Sequence, residues 1–196
     1  MPDQKLRPEK CLSYTNAVDK AIKSIKPDLL IVDFWYSPEL SGPIHLNNVS
    51  TDSGTIAMQA FIDSISPYTC KIVMTLPHLT FDQNIGREFP KRLSQGLPLN
   101  KLNMQKSVWE KKREDGMKRI NALKCSKCTF LNIADAFCDE RMCYAYDKEL
   151  NIPYFDDWHH TTIAGLFKTM KHFKPTLFSI VDSVKCSNKS ENFIQK

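Results

Sequence analysis

DLLIVDFW, residues 28–35, is the stretch of sequence that decides the fold. Its central residues are apolar without alternation, which predicts a strand covered on both faces, as in a parallel sheet packed between helices. Two further stretches, KIVMTL at residues 71–76 and TFLNIA at residues 129–134, predict strands of the same kind. Because helical patterns alternate with these strands along the chain, we expect an α/β fold with a doubly wound sheet.

Apolar side chains at helical spacing predict the helices that connect the strands. The predicted helices cover residues 15–26, 57–65, 102–122 and 162–173. A separate helix is expected to start at Pro175, and residues 80–100, which contain two prolines and two glycines, are expected to be irregular. Parallel strands place the loops that follow them at one edge of the sheet, where α/β proteins bind ligands.

Length and composition limit the possible functions. The 196 residues, 42% hydrophobic and 25% charged, are typical of one globular domain, which we place at residues 1–186 with a flexible tail at residues 187–196. The 27 Lys and Arg residues exceed the 22 Asp and Glu residues, but they are scattered, so we expect no nucleic-acid partner. No apolar run approaches the roughly 20 residues of a membrane span, and no signal peptide is visible.

Four of the seven cysteines lie within nineteen residues, with the spacing Cys125-x2-Cys128 and Cys138-x4-Cys143. This spacing permits two disulfides or a four-thiolate zinc site, and unpaired buried thiols are a third possibility. The strand pattern between the two pairs favours disulfides, which we expect to fasten the third strand to the segment leading to Tyr154. Two N-x-S glycosylation sequons fit the oxidising compartment in which disulfides form.

The segment most able to carry chemistry is Asp157-x-x-His160-x-Thr162-x-x-Gly165. An Asp three residues before a His, on a loop that enters a helix, lets the carboxylate accept from one imidazole nitrogen and leaves the other as a general base. The same spacing also occurs where such residues only cap a helix at the surface. Spacing alone does not separate the two interpretations.

Several other positions match one family when they are taken together with this block. They are Cys11 with Asn16 ahead of a helix, Lys26-Pro27-Asp28, Trp35, and the four clustered cysteines followed by Tyr144 and Asp147. On these residues the chain resembles an SGNH hydrolase domain, and more narrowly the SGNH domain that follows the multi-span membrane part of certain O-acyltransferases. The resemblance covers residues 11–184, and the block from Asp157 to Gly165 is its most specific part.

The resemblance implies a flavodoxin-like three-layer α/β sandwich with Ser-His-Asp chemistry, which moves acyl groups to or from hydroxyl groups. His160 would act as the base and Asp157 would orient it. The resemblance further implies no cofactor, a lumenal or extracellular location, and a tether to a membrane acyltransferase domain. The acyl donor and the hydroxyl acceptor stay open.

Two blocks of the family have no match in this chain. The family's first strand carries a Gly-Asp-Ser block with the nucleophile, and the sequence contains no Gly-Asp-Ser. A Gly-x-Asn-Asp block after the third strand is replaced by FWYS, residues 34–37. By the family's topology residues 28–35 would be the third strand, so we expect an incomplete fold without the first strands and a chain that is inactive alone. The alternatives are a non-catalytic interaction module and a zinc-binding module built on the four cysteines.

Other polar residues are weaker candidates. Ser53 follows an Asp and precedes a helix, as a nucleophile does, but Asp52 or Ser53 is also what an ordinary helix cap requires, and we favour the cap. His45, His78 and His172 have no partner visible in the sequence, so we expect each to be a solvated or hydrogen-bonded histidine without a catalytic role.

Overall fold

The computed structural model describes residues 8–33, 38–44 and 48–184 of the chain. Trp35, His45 and the expected tail at residues 187–196 lie outside the described residues. The helices are α1 Pro8–Ile25, α2 Pro38–Ser41, α3 Ser53–Ile65, α4 Ile85–Ser94, α5 Lys106–Lys112, α6 Glu114–Ala122 and α7 Ile163–Ser183. The strands are β1 Leu29–Val32, β2 Lys71–Thr75, β3 Met104–Gln105, β4 Cys128–Leu131, β5 Met142–Cys143, β6 Tyr146–Asp147 and β7 Ile152–Pro153.

The central sheet consists of β1, β2 and β4, which are parallel and lie in the order β1-β2-β4. Leu30 pairs with Ile72, and Ile72 pairs in turn with Cys128. The three apolar stretches of the sequence therefore form the sheet as predicted, and the α/β fold class is confirmed. Two antiparallel pairs, β3 with β5 and β6 with β7, lie outside this sheet.

Helices and loops cover both faces of the central sheet, which gives three layers. Ile72 and Met74 are completely buried on one face, in a cluster that includes apolar residues of α1, α3 and α6. Val73 is buried on the other face, in a cluster with residues of α4, α5 and α7 and of the loops after β4. Successive residues of β2 point in opposite directions, so this one strand contributes to both cores.

One edge of the sheet is open within the described part of the chain. The only strand found beside β1 there is β2, and Ile31, in the middle of β1, is 57% exposed. An exposed apolar residue on an edge strand is a site for pairing with a further strand. This edge is the one at which the expected missing first strand would lie.

The structure corrects four expectations about the helices. Helix α1 begins at Pro8, so Cys11 and Asn16 lie within it and not ahead of a helix. Residues 80–100 contain the helix α4, because the burial of Ile85 and Phe89 on one face outweighs the hydrogen bond that Pro90 cannot donate. The C-terminal helix α7 is continuous through Pro175, and no separate helix begins there. The helix expected over residues 102–122 is divided into α5 and α6 at Arg113.

The clustered cysteines form the disulfides Cys125–Cys128 and Cys138–Cys143. Both bridges are local, since the two cysteines of each pair are only 3 and 5 positions apart in the sequence. The expectation that they fasten the third strand to the segment leading to Tyr154 is therefore wrong. The pairing of the four sulfurs agrees with the disulfide interpretation. None of the described helices is long and apolar enough to cross a membrane.

Candidate active site

The loop before α7 holds Asp157 and His160 in direct contact. Nδ1 of His160 lies 2.6 Å from Oδ2 of Asp157. The backbone N–H groups of His159 and His160 both donate to Oδ1 of Asp157, each at 2.8 Å. Because an ionised carboxylate can only accept, Nδ1 of His160 carries the proton and donates to it. In the neutral imidazole, Nε2 is then unprotonated and can accept a proton from a substrate group.

The residues that follow this pair in the sequence block fix the shape of the loop. Thr162 caps α7, since its side-chain oxygen accepts from the N–H of Gly165, and its hydroxyl donates to the carbonyl of Pro153 at 2.8 Å. Gly165 lies so close to the preceding strand that a Cβ there would be 2.2 Å from the carbonyl oxygen of Tyr154. The glycine of the block therefore allows α7 to pack against the strand that leads into the site.

A second glycine supports the same loop from the other side. A Cβ on Gly86, in the first turn of α4, would lie 2.0 Å from the carbonyl oxygen of Asp156. The backbone N–H of Ile85 also donates to the carbonyl of Asp157, at 3.0 Å. The loop that carries the Asp–His pair is thus held between α4 and α7.

The electrostatics favour an ionised Asp157. Burial alone would raise the pKa of its carboxyl group, but the hydrogen bonds from the backbone of His159 and from the side chain and backbone of His160 lower that pKa to about 2. Burial lowers the pKa of the neighbouring His159, although the charge of Asp157 opposes this shift. Asp157 is therefore negatively charged at neutral pH and can stabilise a positive charge on the adjacent imidazole.

His160 faces a cavity of about 460 Å³ at the carboxyl edge of the sheet. Asp33, Thr75 and Ile133, which lie at or just beyond the ends of the three parallel strands, line this cavity. Phe137 and Phe155 provide apolar wall. The side chain of His160 is 66% exposed, so it is open to a group entering the cavity.

The cavity also contains a second Asp–His pair, which the sequence analysis missed. Nε2 of His78 lies 2.8 Å from Oδ1 of Asp33, and the hydroxyl of Thr75 donates to the same oxygen at 2.5 Å. The hydrogen bond from His78 is the largest effect that lowers the pKa of Asp33. His78 is therefore hydrogen-bonded, which was one of the two expected states, but its partner Asp33 was not predicted. The signal was available, because all three residues lie at or soon after the ends of two neighbouring parallel strands.

The remaining candidates do not reach the cavity. Asp52 is the N-cap of α3 and accepts from the N–H of Thr55, so the cap interpretation of this segment is correct. Ser53 is exposed in the first turn of α3 and does not line the cavity. His172 is exposed on α7, with its ring against Phe173. Among the described residues that line the cavity there is no serine and no cysteine.

The domain is a three-layer α/β sandwich with a hydrogen-bonded Asp–His pair at the carboxyl edge of its parallel sheet. The sequence comparison identifies the family within this class. Residues 1–175 match the SGNH domain that is fused to AT3 domains, and the chain belongs to this family. Comparison with curated proteins gives no match.

One similar solved structure is the periplasmic domain of a lipopolysaccharide acetyltransferase from Salmonella ser. Paratyphi A. The two structures superpose with a TM-score of 0.54 at 14% sequence identity, over 83% of this chain. At this identity the likeness establishes the shared fold. The matched region spans 61% of the Salmonella domain.

Proposed function

We propose that this domain supplies the base and the orienting carboxylate of a site that transfers small acyl groups to or from hydroxyl groups. His160 is the base and Asp157 orients it. The observation that carries the proposal is the 2.6 Å contact between Nδ1 of His160 and Oδ2 of Asp157, which directs Nε2 to proton transfer at the edge of a parallel sheet. Membership of the SGNH family supports this assignment.

In the proposed reaction a serine hydroxyl attacks the acyl carbonyl while Nε2 of His160 takes its proton. The tetrahedral intermediate then collapses, and the leaving oxygen takes the proton back from His160. A hydroxyl acceptor or water repeats the two steps in the second half-reaction, which releases the serine. Throughout, the negative charge of Asp157 stabilises the imidazolium form of His160.

The serine in this scheme comes from a segment outside the described cavity lining. The sequence contains no Gly-Asp-Ser, and the described lining offers threonine hydroxyls as its only alcohols. Two of these, Thr75 and Thr169, donate to Asp33 and to the carbonyl of Gly165. We propose that a strand bearing the nucleophile pairs with the open edge of β1, which would bring the nucleophile to the carboxyl edge where His160 lies.

A small acyl group fits the size of the site. The cavity of about 460 Å³ is partly apolar and lies within the usual range for small-molecule pockets. The Salmonella domain is described as part of an acetyltransferase, which supports acetyl as the group to test first. The apolar wall at Phe137 and Phe155 would contact the methyl group of such a substrate.

The experiment joins the chain to a Gly-Asp-Ser strand of an SGNH domain at its N terminus and measures hydrolysis of p-nitrophenyl acetate. We expect saturable turnover that falls by a factor on the order of 10³ or more in His160→Gln, with a large decrease in Asp157→Asn. His172→Gln, on the exposed surface of α7, is the matched control and should not change the rate. If a fluorophosphonate labels the added serine but His160→Gln leaves turnover unchanged, the proposed base is wrong.

A further inference from the structure

Helix α7 carries six large apolar side chains that are between 52% and 75% exposed. These residues, which form the apolar face of α7, are Ile163, Leu166, Phe167, Met170, Phe178 and Val181. We propose that the apolar face of α7 is a second docking surface for the polypeptide segment that carries the nucleophile strand. The inference rests on the proposed function, because that function requires such a segment.

The apolar face of α7 is continuous along the helix. Its residues recur at intervals of three or four, which places them on one side of a helix. Between Met170 and Phe178 this repeat passes through Lys174, whose ammonium lies over the ring of Phe178, 5.5 Å from its centroid. The aliphatic stem of Lys174 therefore continues the apolar surface. Exposed apolar side chains that form one contiguous patch, unlike scattered ones, mark an interaction site.

The apolar face of α7 is turned toward β1. Leu166, at one flank of the face, lines the cavity together with Asp33, which directly follows β1. The buried side of α7 packs on the core cluster that also contacts Leu29 of β1. Lys168 lies beyond the buried side, with its ammonium over the ring of Tyr154. The face therefore meets the buried side of the helix where the helix approaches the end of β1.

The open edge of β1 extends the same surface. Ile31 is in register with Val73, and Val73 is buried on the side of the sheet that α7 covers. Residues in register on neighbouring strands point to the same side of a sheet. The exposed side chain of Ile31 therefore lies on the α7 side of the sheet. The edge of β1 and the apolar face of α7 form one surface.

A strand that pairs with β1 would lie against this surface. Paired strands are about 4.8 Å apart, whereas a helix with its side chains is about 10 Å wide, so the added strand would run below the outer side of α7. Alternate side chains of that strand would point toward the helix. One docking event would thus bury both Ile31 and the apolar face of α7.

The occupant must be longer than one strand. From Ile163 to Val181 the apolar face of α7 extends about 27 Å, at 1.5 Å for each residue. A strand of five or six residues spans only about 17–20 Å. The segment must therefore bring further apolar residues besides the strand itself. The matched region spans 61% of the Salmonella domain, so a domain of the same fold contains enough additional chain for such a segment.

The test joins the chain to the Gly-Asp-Ser strand of an SGNH domain together with the residues that follow this strand in that domain. Hydroxyl-radical footprinting with mass spectrometry then measures the accessibility of side chains. We expect the oxidation rates of Phe167, Met170 and Phe178 to fall about fivefold or more relative to the chain alone, because docking removes most of their accessible surface. Leu150, which is 68% exposed between β6 and β7, is the control and should react equally in both proteins.

A binding measurement uses the same added segment as a separate peptide. Phe178→Lys should weaken binding of this peptide about tenfold or more, because it places a charge in the centre of a desolvated surface. Leu93→Lys, at a similarly exposed position on α4, is the matched control and should leave the affinity unchanged. Circular dichroism identifies any variant that fails to fold, and Phe167→Lys then replaces Phe178→Lys.

The inference is overturned if the joined protein leaves the three side chains as reactive as they are in the chain alone. It is also overturned if the peptide does not bind, or if folded Phe178→Lys binds it with unchanged affinity. Protection that is already present in the chain alone, and decreases on dilution, would identify a second copy as the occupant and would equally overturn it. Saturable ester turnover without protection of α7 would overturn only this inference, whereas protection of α7 without turnover would overturn only the proposed function.

Discussion

Replacement of Gly165 by alanine tests how the loop of the candidate site is held. Gly165 lies in the first turn of α7, where helix propensity alone predicts that alanine stabilises the protein by up to about 1 kcal/mol. The structure predicts the opposite, because the new Cβ would lie 2.2 Å from the carbonyl oxygen of Tyr154. That oxygen also accepts from the N–H of Thr162 at 2.9 Å, so it cannot move without breaking this hydrogen bond.

Overpacking of this kind usually destabilises a protein by about 1–3 kcal/mol. We therefore expect Gly165→Ala to lower the free energy of unfolding by that amount, and to lower the midpoint temperature by roughly 2–4 °C for each kcal/mol. The measurement is urea and thermal denaturation followed by circular dichroism. Gly116→Ala, in α6, is the control, since its Cβ would lie 3.3 Å from the flexible ring atom Cγ of Pro77. Equal or greater stability of Gly165→Ala would refute the close approach of α7 to Tyr154.

Three further predictions concern other parts of the molecule. The guanidinium of Arg119 donates to both carboxylate oxygens of buried Asp52, at 2.6 and 3.0 Å. Arg119→Met should therefore lower the free energy of unfolding by about 3–5 kcal/mol in urea denaturation, and a decrease of less than about 1 kcal/mol would contradict this. The hydrogen bond from Arg119 outweighs burial and lowers the pKa of Asp52 to about 2, below its unfolded value of about 3.9. The ionised carboxylate therefore contributes stability above pH 4, and this contribution is lost as the pH falls from 4 to 2. Asp52→Asn should make the free energy of unfolding depend less on pH between 4 and 2, and an unchanged dependence would argue against the ion pair. We expect the open edge of β1 to pair with a second copy of the chain, so Ile31→Lys should reduce self-association in sedimentation velocity. Ile56→Lys, at a similarly exposed position on α3, should not, and equal effects of both variants would show that the edge is not the contact.

The sheet could be predicted because its signal is local. The continuous apolar stretches at β1, β2 and β4 are typical of strands in a parallel sheet packed between helices. The helices were harder to predict, because tertiary burial overrode local rules. Pro90 and Pro175 both lie inside helices whose neighbouring apolar residues are buried, and sequence rules treat proline as a boundary.

In the candidate site, too, contacts between residues close in the sequence could be predicted, and contacts between distant residues could not. Asp157 and His160 are three residues apart, so their hydrogen bond could be predicted from spacing. Asp33 and His78 are 45 positions apart, and only the register of β1 beside β2 brings them together. The disulfides were predicted from spacing, but the structure was needed to show that each cysteine bonds to its near neighbour in the sequence.

The central claim is that this chain contributes the base and its carboxylate to acyl transfer, while the nucleophile comes from elsewhere. The direct measurement is the rate of p-nitrophenyl acetate hydrolysis by the monodisperse chain alone, compared with buffer and with His160→Gln. We predict no saturable turnover, because loss of one member of a Ser-His-Asp site typically reduces the rate on the order of 10⁴- to 10⁶-fold. Robust turnover that disappears in Ser53→Ala, and persists in Ser64→Ala on the same helix, would contradict the claim and identify Ser53 as the nucleophile.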